Sequence, residues 1–300
     1  MRVFHTDQFD IPLPEGHRFP LAKYRMLRER LLATSAVAPA ALGVPEAASD
    51  RQLALAHTPA YVDGSTTGTL GGPAMRRIGF PWSPQLVERS RRSVGGTIAA
   101  GAEALRSGVS VTLSGGTHHA SADRGEGYCV FNDVAVAIRV LQRRARVRTA
   151  VVIDCDVHQG NGTAEIFRED PSVVTVDLYG ERNFPFEKVP GTLNVPLPDG
   201  TGDGEYLEHL EAALRRVPLP ADADLVFYLA GADPYEGDRL GRLALTKDGL
   251  ATRDRLVFAH CRAAGLPVAV TMAGGYAADI ADTVEIQART VAEAARLASV

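Results

Sequence analysis

From about residue 84 to the end of the chain, short apolar runs alternate with segments in which apolar residues are three or four positions apart. Short apolar runs predict buried strands, whereas apolar residues three or four positions apart predict helices. Strands are predicted at Val109–Leu113, Ala150–Ile153, Val173–Leu178, Asp224–Leu229 and Pro267–Thr271. Helices are predicted at about 84–106, 132–142, a short segment after Thr163, 204–215, 247–264 and 283–298. The repeated alternation predicts an α/β fold with a central, mostly parallel β-sheet and helices on both faces.

The residues before this region follow a less regular pattern. Met1–His5 predicts a short strand, and the acidic, proline-rich segment Asp7–Arg18 predicts a loop. Helices are predicted over Leu21–Leu32 and Asp50–Val62. The stretch Asp63–Pro84 is rich in Gly, Thr and Pro and predicts a long loop, which is either functional or an ordinary surface excursion.

The stretch from Ala150 to Thr163 is the most informative part of the chain. A β-branched apolar run is followed by Asp154, Asp156 and His158 at alternating positions. Side chains two residues apart in an extended chain point the same way, so these three are predicted to share one face. A helix-capping role would explain one aspartate but not all three polar groups. The pattern therefore favours half of a divalent metal site.

Polar or glycine-rich motifs follow four of the predicted strands. These motifs are Ser114–Ala120, Asp154–Thr163, Ala230–Asp233 and Met272–Tyr276. Sites in open parallel sheets form beyond the carboxyl ends of the strands. The four motifs are therefore predicted to meet in a single pocket at that edge.

The residue types in these motifs indicate metal-assisted hydrolysis. Asp156, His158 and Asp233 would supply three ligands and leave positions open for water and substrate, as a catalytic metal requires. His118 and His119 offer two imidazoles, one as general base on the metal-activated water and the other as an electrostatic or acid partner.

Three further residues complete this predicted site. Asp154 and Asn161 have no metal to hold in this scheme, so they are assigned to orienting the two imidazoles. Tyr276 follows two glycines and is predicted to direct its hydroxyl toward a developing oxyanion. Adjacent histidines and a Gly-Gly-Tyr turn are often structural when they occur alone, but their joint placement favours a shared function.

Composition limits the class of protein. A hydrophobic content of 45% supplies a large core, and no break in composition divides residues 1–300, which are predicted to form one domain. The net charge of −4 gives no basic surface for nucleic acid, and Arg143–Arg148 predicts a solvated helix end. Sparse cysteines, no apparent leader and no membrane-spanning run predict a cytoplasmic protein with reduced thiols at Cys129, Cys155 and Cys261.

These motifs resemble the histone deacetylase family of the arginase/deacetylase superfamily, from about His57 to Tyr276. The matching segments are Gly116–Ala120, Gly127–Asp133, Asp154–Thr163, Gly231–Gly241 and Gly274–Tyr276. Asp177–Tyr179, Glu236–Gly241 and Gly95–Ile98 are most similar to its class IV branch.

The resemblance implies zinc-dependent hydrolysis of an acyl-amide on a lysine-like amine. It implies that Asp156, His158 and Asp233 bind the metal, that His119 is the base and His118 its partner, and that Tyr276 polarises the carbonyl. A tunnel for the alkyl chain is implied at Gly127, Tyr128, Phe184 and Gly275. Potassium is a further expectation, held by backbone carbonyls around Asp154–His158 and Asp177–Leu178.

The sequence departs from the family pattern at three points. Tyr128 stands where phenylalanine is common, and Gln159 replaces a usual histidine outside the metal ligands. Members of the family have an aspartate at the rim of the tunnel that binds the substrate backbone. No counterpart of this aspartate is identified in Asp63–Pro84.

The sequence leaves the substrate and the metal open. Acyl-lysine in proteins, longer acyl-lysines, acetylated polyamines and small acetylated metabolites all suit an acyl-amide tunnel. Two aspartates and one histidine also suit Fe(II), Mn(II) or Co(II). A two-manganese guanidino hydrolase is disfavoured because the second ligand set is missing, and a catalytically dead binding module is disfavoured because His119 and Tyr276 are both present. A nicotinamide-binding fold is disfavoured because no GxGxxG motif follows the first strand.

Overall fold

A parallel β-sheet forms the centre of the fold. The computed structural model describes residues 1–216 and 223–298, and within them the sheet has eight strands in the order β2-β1-β3-β8-β7-β4-β5-β6. The strands are β1 Val3–Phe4, β2 Leu42–Gly43, β3 Val109–Thr112, β4 Thr149–Asp154, β5 Val173–Gly180, β6 Leu193–Leu197, β7 Ala223–Leu229 and β8 Val268–Thr271. Every neighbouring pair is parallel, which confirms the predicted fold class.

Helices cover both faces of this sheet. They are α1 Lys23–Ala33, α2 Asp50–Leu53, α3 Pro59–Thr67, α4 Gly72–Ile78, α5 Pro84–Ser107, α6 Asp133–Arg143, α7 Asn161–Ile166, α8 Asp203–Arg216, α9 Lys247–Ala263 and α10 Ile280–Ala298, with a 3-10 turn at Pro39–Ala41. Apolar residues of α1, α8, α9 and α10 pack in one core, and those of α5 and α6 pack in the other. No helix in the described residues is both long and apolar enough to cross a membrane.

Strand β4 shows why the sheet is covered on both sides. Val151 and Ile153 point into one core, whereas Ala150 and Val152 point into the other. All four are almost completely buried, as expected for a continuous apolar run in the middle of a parallel sheet. The strand lies between β7 and β5 and therefore delivers its last residues to the centre of the sheet edge.

The prediction of one helix over Asp50–Val62 and a loop over Asp63–Pro84 is wrong. Thr58 caps a new helix, with its hydroxyl accepting from the backbone N–H of Tyr61 at 3.3 Å, and Pro59 occupies its first position. Proline has no N–H to donate and is tolerated in the first turn, so the chain forms α2 and α3 instead of one continuous helix. Most of the expected loop is helical, because α3 continues to Thr67 and is followed by α4.

Two short strands and one helix start also differ from the prediction. Strand β6 contains Pro196, which is accommodated because β6 lies at the edge of the sheet and pairs only with β5. Strand β2 has two residues, too few to give a periodic signal. Helix α7 begins at Asn161 rather than after Thr163.

Candidate metal centre and active site

The carboxyl ends of four adjacent strands bring the polar motifs together. Strands β3, β8, β7 and β4 are consecutive in the sheet, so the loops that leave them share one edge. Of the eight residues predicted to act together, Tyr276 is half-buried and the other seven are buried at this edge, namely His118, His119, Asp154, Asp156, His158, Asn161 and Asp233. The structure therefore brings the four motifs together at one edge of the sheet, as the sequence predicts.

Asp156, His158 and Asp233 form a compact group of possible metal ligands. One ligand atom from each lies within 4.8 Å of the others. The Nδ1 atom of His158 is 3.0 Å from Asp156 Oδ1 and 3.2 Å from Asp233 Oδ2. Within the described residues, this is the one group of three or more His, Cys, Asp and Glu side chains with such spacing.

The surroundings of the three side chains fit a divalent cation. Asp233 Oδ2 is buried, and no donor in the described part of the chain meets it with good hydrogen-bond geometry, although His158 Nδ1 lies 3.2 Å away. Gly274 donates its N–H to Asp156 Oδ2 at 2.7 Å, and a Cβ on Gly274 would lie 1.9 Å from Asp233 Oδ2. Burial and the nearby Asp156 charge raise the pKa of Asp233 to about 7. A bound cation would compensate both buried carboxylates, as a metal-ligand set requires.

The two adjacent histidines have different partners. His118 Nδ1 lies 2.7 Å from Asp154 Oδ2, and His119 Nδ1 lies 2.7 Å from Asn161 Oδ1. Asn161 donates from Nδ2 to Glu126 Oε1 at 2.6 Å, which orients its carbonyl oxygen toward His119. The Nδ1 atom of His119 must then carry the proton, and its Nε2 is left with a free lone pair.

These partners separate the pKa values of the two imidazoles. Burial opposes a charge on His118, but the carboxylates of Asp154 and Asp156 outweigh it and raise the pKa of His118 to about 9. Burial, together with the neighbouring His118 and His158, lowers the pKa of His119 well below its usual value. His119 is therefore a neutral imidazole that can accept a proton, and His118 is a cationic neighbour.

An aromatic channel leads from this group to the surface. The channel has a volume of about 280 Å³ and is lined by His119, Gly127, Tyr128, His158, Arg182, Asn183, Phe184, Phe186, Leu240, Arg242 and Tyr276. Phe184 meets the ring of His119 edge-on with a centroid distance of 4.8 Å. Gly275 is not among the residues that line the channel. A Cβ on Gly275 would point at Thr283 and Ala232 instead.

Helix α4 supports one wall of the channel. The N–H groups of Gly127 and Tyr128 donate to the carbonyl oxygens of Arg77 and Ile78 at 3.1 and 2.7 Å. Tyr128 has a positive φ of 65°, a conformation that costs energy for a residue with a side chain. These backbone bonds hold it there, so the segment that was expected to be a loop supports the channel wall.

Comparison with known proteins identifies the family of the chain. The histone deacetylase domain model matches residues 17–291. The chain belongs to the histone deacetylase family. It is 44% identical to an uncharacterized protein of Picosynechococcus over 94% of each chain, and 30% identical to histone deacetylase 2 of Arabidopsis thaliana over 94% of this chain and 77% of the plant protein.

Other relatives and solved structures extend the comparison. A probable deacetylase of Methanothermobacter thermautotrophicus is 29% identical over 92% of this chain and 86% of its own. A crystal structure described as an HDAC homolog complexed with SAHA has a TM-score of 0.86 at 24% identity, covering 99% of this chain and 84% of its own. An HDAC homolog from Aquifex aeolicus has a TM-score of 0.85 at 23% identity, with 98% and 84% covered. These structural matches show that the fold is shared.

In this family member, the sequence-based prediction missed two buried cations that bond to the backbone of the site motifs. Lys23 donates to the carbonyl oxygen of Gly275 at 3.2 Å, and its ammonium lies 5.2 Å from the centroid of the Tyr276 ring. Its position was detectable, because Lys23, Leu27 and Leu31 are spaced four apart and share the buried side of α1.

Arg253 is the second buried cation. It donates from Nη1 to the carbonyl oxygens of Gly231 at 2.6 Å and Cys155 at 3.3 Å, and from Nη2 to Asp254 at 2.8 Å. Arg253 and Asp254 follow Leu250 by three and four residues, so both fall on the apolar stripe of α9. A charged pair on such a stripe was the signal that these residues are buried together.

The side chains of Asp177 and Gln159 have different hydrogen-bond partners. Asp177 Oδ2 accepts from the N–H of Gly160 at 2.8 Å, while its buried Oδ1 has no hydrogen-bond partner in the described residues. Gln159 turns away from the metal-ligand group, and its side chain bonds to the backbone N–H and carbonyl of Val189.

Proposed function

We propose that the protein is a metal-dependent amidohydrolase that removes an acyl group from a lysine-like amine. The observation that carries this proposal is the buried group Asp156, His158 and Asp233 beside the neutral imidazole of His119, at the inner end of an aromatic channel. Its family relatives include proteins named histone deacetylase and probable deacetylase. We propose that residues 1–300 act as one catalytic domain.

Zinc is the ion we propose for this group, and Fe(II), Mn(II) and Co(II) also suit two carboxylates and one imidazole. A divalent ion held there supplies a Lewis acid for the acyl carbonyl and for the attacking water. The metal ligands in this proposal are Asp156, His158 and Asp233. Asp233 Oδ2 supports this assignment, because it is a buried carboxylate oxygen without a well-aligned donor, and the nitrogen at 3.2 Å belongs to His158, another proposed ligand.

The residues around the ligands would divide the acid–base work. His119 accepts the proton of the attacking water at Nε2, because Asn161 keeps its Nδ1 protonated. His118, charged and bonded to Asp154, stabilises negative charge nearby and supplies a proton toward the leaving amine.

Tyr276 would stabilise the oxyanion. Burial raises the pKa of its hydroxyl well above the usual value, so the phenol stays protonated and is able to donate a hydrogen bond.

The channel favours an unbranched alkyl chain. Tyr128 and Phe184 line it and would bury the methylene groups of a lysine-like substrate without competing for its amide. A binding module without activity would have no use for His119 and Tyr276 in this arrangement. The substrate class that we propose is an acyl-lysine peptide or protein, or a small acylated amine of similar length.

A monovalent cation is a separate part of the proposal. Potassium would be held by backbone carbonyls around Asp154–His158 and Asp177–Leu178, and the orphaned Oδ1 of Asp177 supports a cation there. The cysteines Cys129, Cys155 and Cys261 are buried and unpaired, which agrees with work in a reducing compartment such as the cytoplasm.

Amine release by the metal-loaded protein tests the proposed function. Protein stripped of metal and reloaded with Zn(II), Fe(II), Mn(II) or Co(II) would be assayed on an acetyl-lysine peptide, a long-chain acyl-lysine peptide and an acetylated polyamine. We expect release that a chelator abolishes. Asp233→Ala should lose both the metal, measured by elemental analysis, and the activity, whereas Asp248→Ala, with an exposed carboxylate on α9, should keep both. Absence of release from every compound by protein with bound metal would contradict the proposal.

A further inference from the structure

The outer part of the channel carries positive charge. Outside its inner end, where His119 and His158 lie, Arg182 and Arg242 are the charged side chains among its lining residues in the described part of the chain. Both guanidinium groups are largely exposed, with 76% and 57% of their side-chain surface accessible. No carboxylate among residues 1–216 and 223–298 lines the channel with them, although Glu181 and Glu187 are exposed in the same loop.

The two arginines share one carboxylate. Asp199 Oδ2 lies 3.2 Å from Arg242 Nη1 and 3.9 Å from Arg182 Nη1. The two lining arginines and Asp199 together carry one net positive charge, and the exposed carboxylates of Glu181 and Glu187 in the same loop do not line the channel. Each guanidinium has five N–H groups, so donors remain free to bind an incoming anion.

The position of Arg182 and Arg242 relative to the proposed metal ligands determines which part of a substrate the two arginines would contact. The scissile amide has to reach His119 and Tyr276 at the inner end, so the alkyl chain of the amine lies between Phe184 and Tyr128. The group at the far end of that chain then emerges between Arg182 and Arg242. That far group is where substrates of equal reach differ, because a polyamine ends in an ammonium there and an acylated amino acid ends in a carboxylate.

We propose that Arg182 and Arg242 select acylated amines that carry a carboxylate at the far end of the chain, and that they disfavour acetylated polyamines. This inference rests on the proposed amidohydrolase function and names its substrate class. Guanidinium groups bind carboxylates with two parallel hydrogen bonds, which gives direction as well as attraction. The carboxylate belongs either to the acylated amino acid itself or to an acidic residue beside an acyl-lysine in a peptide.

The expected size of the effect follows from the exposure of the two arginines. Solvent-exposed ion pairs are weak, so each guanidinium should change kcat/KM by roughly two- to fivefold. The change should appear in KM with kcat almost constant, since the far end of the substrate does not change charge during the reaction. Added salt should reduce it, because exposed charges are screened.

Three acetamides with the same pentamethylene chain form the central test. They are 6-acetamidohexanoate with a terminal carboxylate, its neutral carboxamide, and monoacetylcadaverine with a terminal ammonium. We expect kcat/KM to fall in that order for the wild-type protein. Arg182→Gln, Arg242→Gln and the double variant should bring the three values together. Arg215→Gln is the matched control, because this exposed arginine lies in the last turn of α8, at the opposite end of the sheet.

A second set of substrates separates the two sources of carboxylate. Acetyl-lysine peptides with Asp, Asn or Lys next to the acetyl-lysine would be compared with the small acetamides. A preference for Asp that exceeds the preference for 6-acetamidohexanoate points to acidic peptides, and the reverse points to free acylated amino acids.

Equal kcat/KM values for the three acetamides, or a preference for the ammonium compound, would overturn the inference and leave the proposed function standing. The same holds if the order survives in the double variant. If protein with bound metal hydrolyses neither the three acetamides nor the acetyl-lysine peptides, the proposed function fails. Ligand-observed NMR titration of the three acetamides then still measures their order of binding, and loss of that order would overturn the inference as well.

Discussion

Arg253 Nη1 lies 2.6 Å from the carbonyl oxygen of Gly231, two residues before Asp233. The same atom reaches the carbonyl oxygen of Cys155, which lies between Asp154 and Asp156. A single buried guanidinium on α9 therefore joins the loops that follow β4 and β7. These two loops contain all three proposed metal ligands. Arg253 thus links the two ligand-bearing loops although it is not itself a proposed ligand.

Replacing this guanidinium should destabilise the protein. Arg253→Met leaves Asp254 buried without its cationic partner, and such a loss costs about 3–5 kcal/mol of unfolding free energy. Urea unfolding of the metal-free protein measures this loss. Arg255→Met, an exposed neighbour that pairs with Glu293, is the control and should change stability by less than about 1 kcal/mol. Equal stability of the two variants would show that the buried pair is not needed.

A methyl group at Gly274 should prevent metal binding. The added Cβ would lie 1.9 Å from Asp233 Oδ2 and 2.6 Å from Asp156 Oδ2, so one or both carboxylates must move away from the ligand position. We expect Gly274→Ala to lose most of its metal by elemental analysis. Gly204→Ala provides a matched control because a Cβ there meets no atom within 4 Å. Full metal content in Gly274→Ala would argue against this ligand group.

Removal of the Tyr276 hydroxyl should slow turnover and leave the metal bound. Loss of one oxyanion donor typically lowers kcat by about 10²- to 10³-fold. Steady-state kinetics and elemental analysis of Tyr276→Phe measure the two quantities separately. Tyr235→Phe removes a hydroxyl that lies 3.4 Å from Asp282, away from the channel lining, and should retain normal turnover. Wild-type kcat in Tyr276→Phe would remove this residue from the mechanism.

Burial of His57 should make the protein sensitive to acid. Its Nδ1 donates to the carbonyl oxygen of Ser121, and its Nε2 accepts from the N–H of Asn132, both at 2.9 Å, so the ring must be neutral. Burial lowers the pKa of His57 from 6.5 to about 4. The unfolded chain therefore binds more protons between these two pH values, and this contribution is complete above about pH 6.5 and is lost as the pH falls toward 4.

The loss from His57 should reach roughly 3 kcal/mol across that window. Urea unfolding at a series of pH values should show a shallower dependence for His57→Gln than for the wild type. The exposed His209 on α8 provides the control, because His209→Gln should keep the wild-type dependence. Parallel curves for all three proteins would contradict the prediction.

Local patterns in the sequence are sufficient to predict the α/β fold, the parallel sheet and the edge that carries the polar motifs. Val151, Ile153 and their neighbours form an apolar run, and Asp154, Asp156 and His158 follow it at a spacing of two. Strand period and the rule that parallel strands end at one edge are properties of short segments and of sheet geometry. For this reason, they can be read before any long-range contact is known.

Contacts between distant segments determine the rest. Residue Arg253 is 98 positions from Cys155 and 22 from Gly231, and the sequence pattern places it only on a buried stripe. The orientation of Asn161 by Glu126, the support of Tyr128 by α4 and the pairing of Asp199 with two arginines also join separate parts of the chain. Such contacts arise from packing of completed elements, because side-chain direction and burial are fixed only when the helices settle against the sheet.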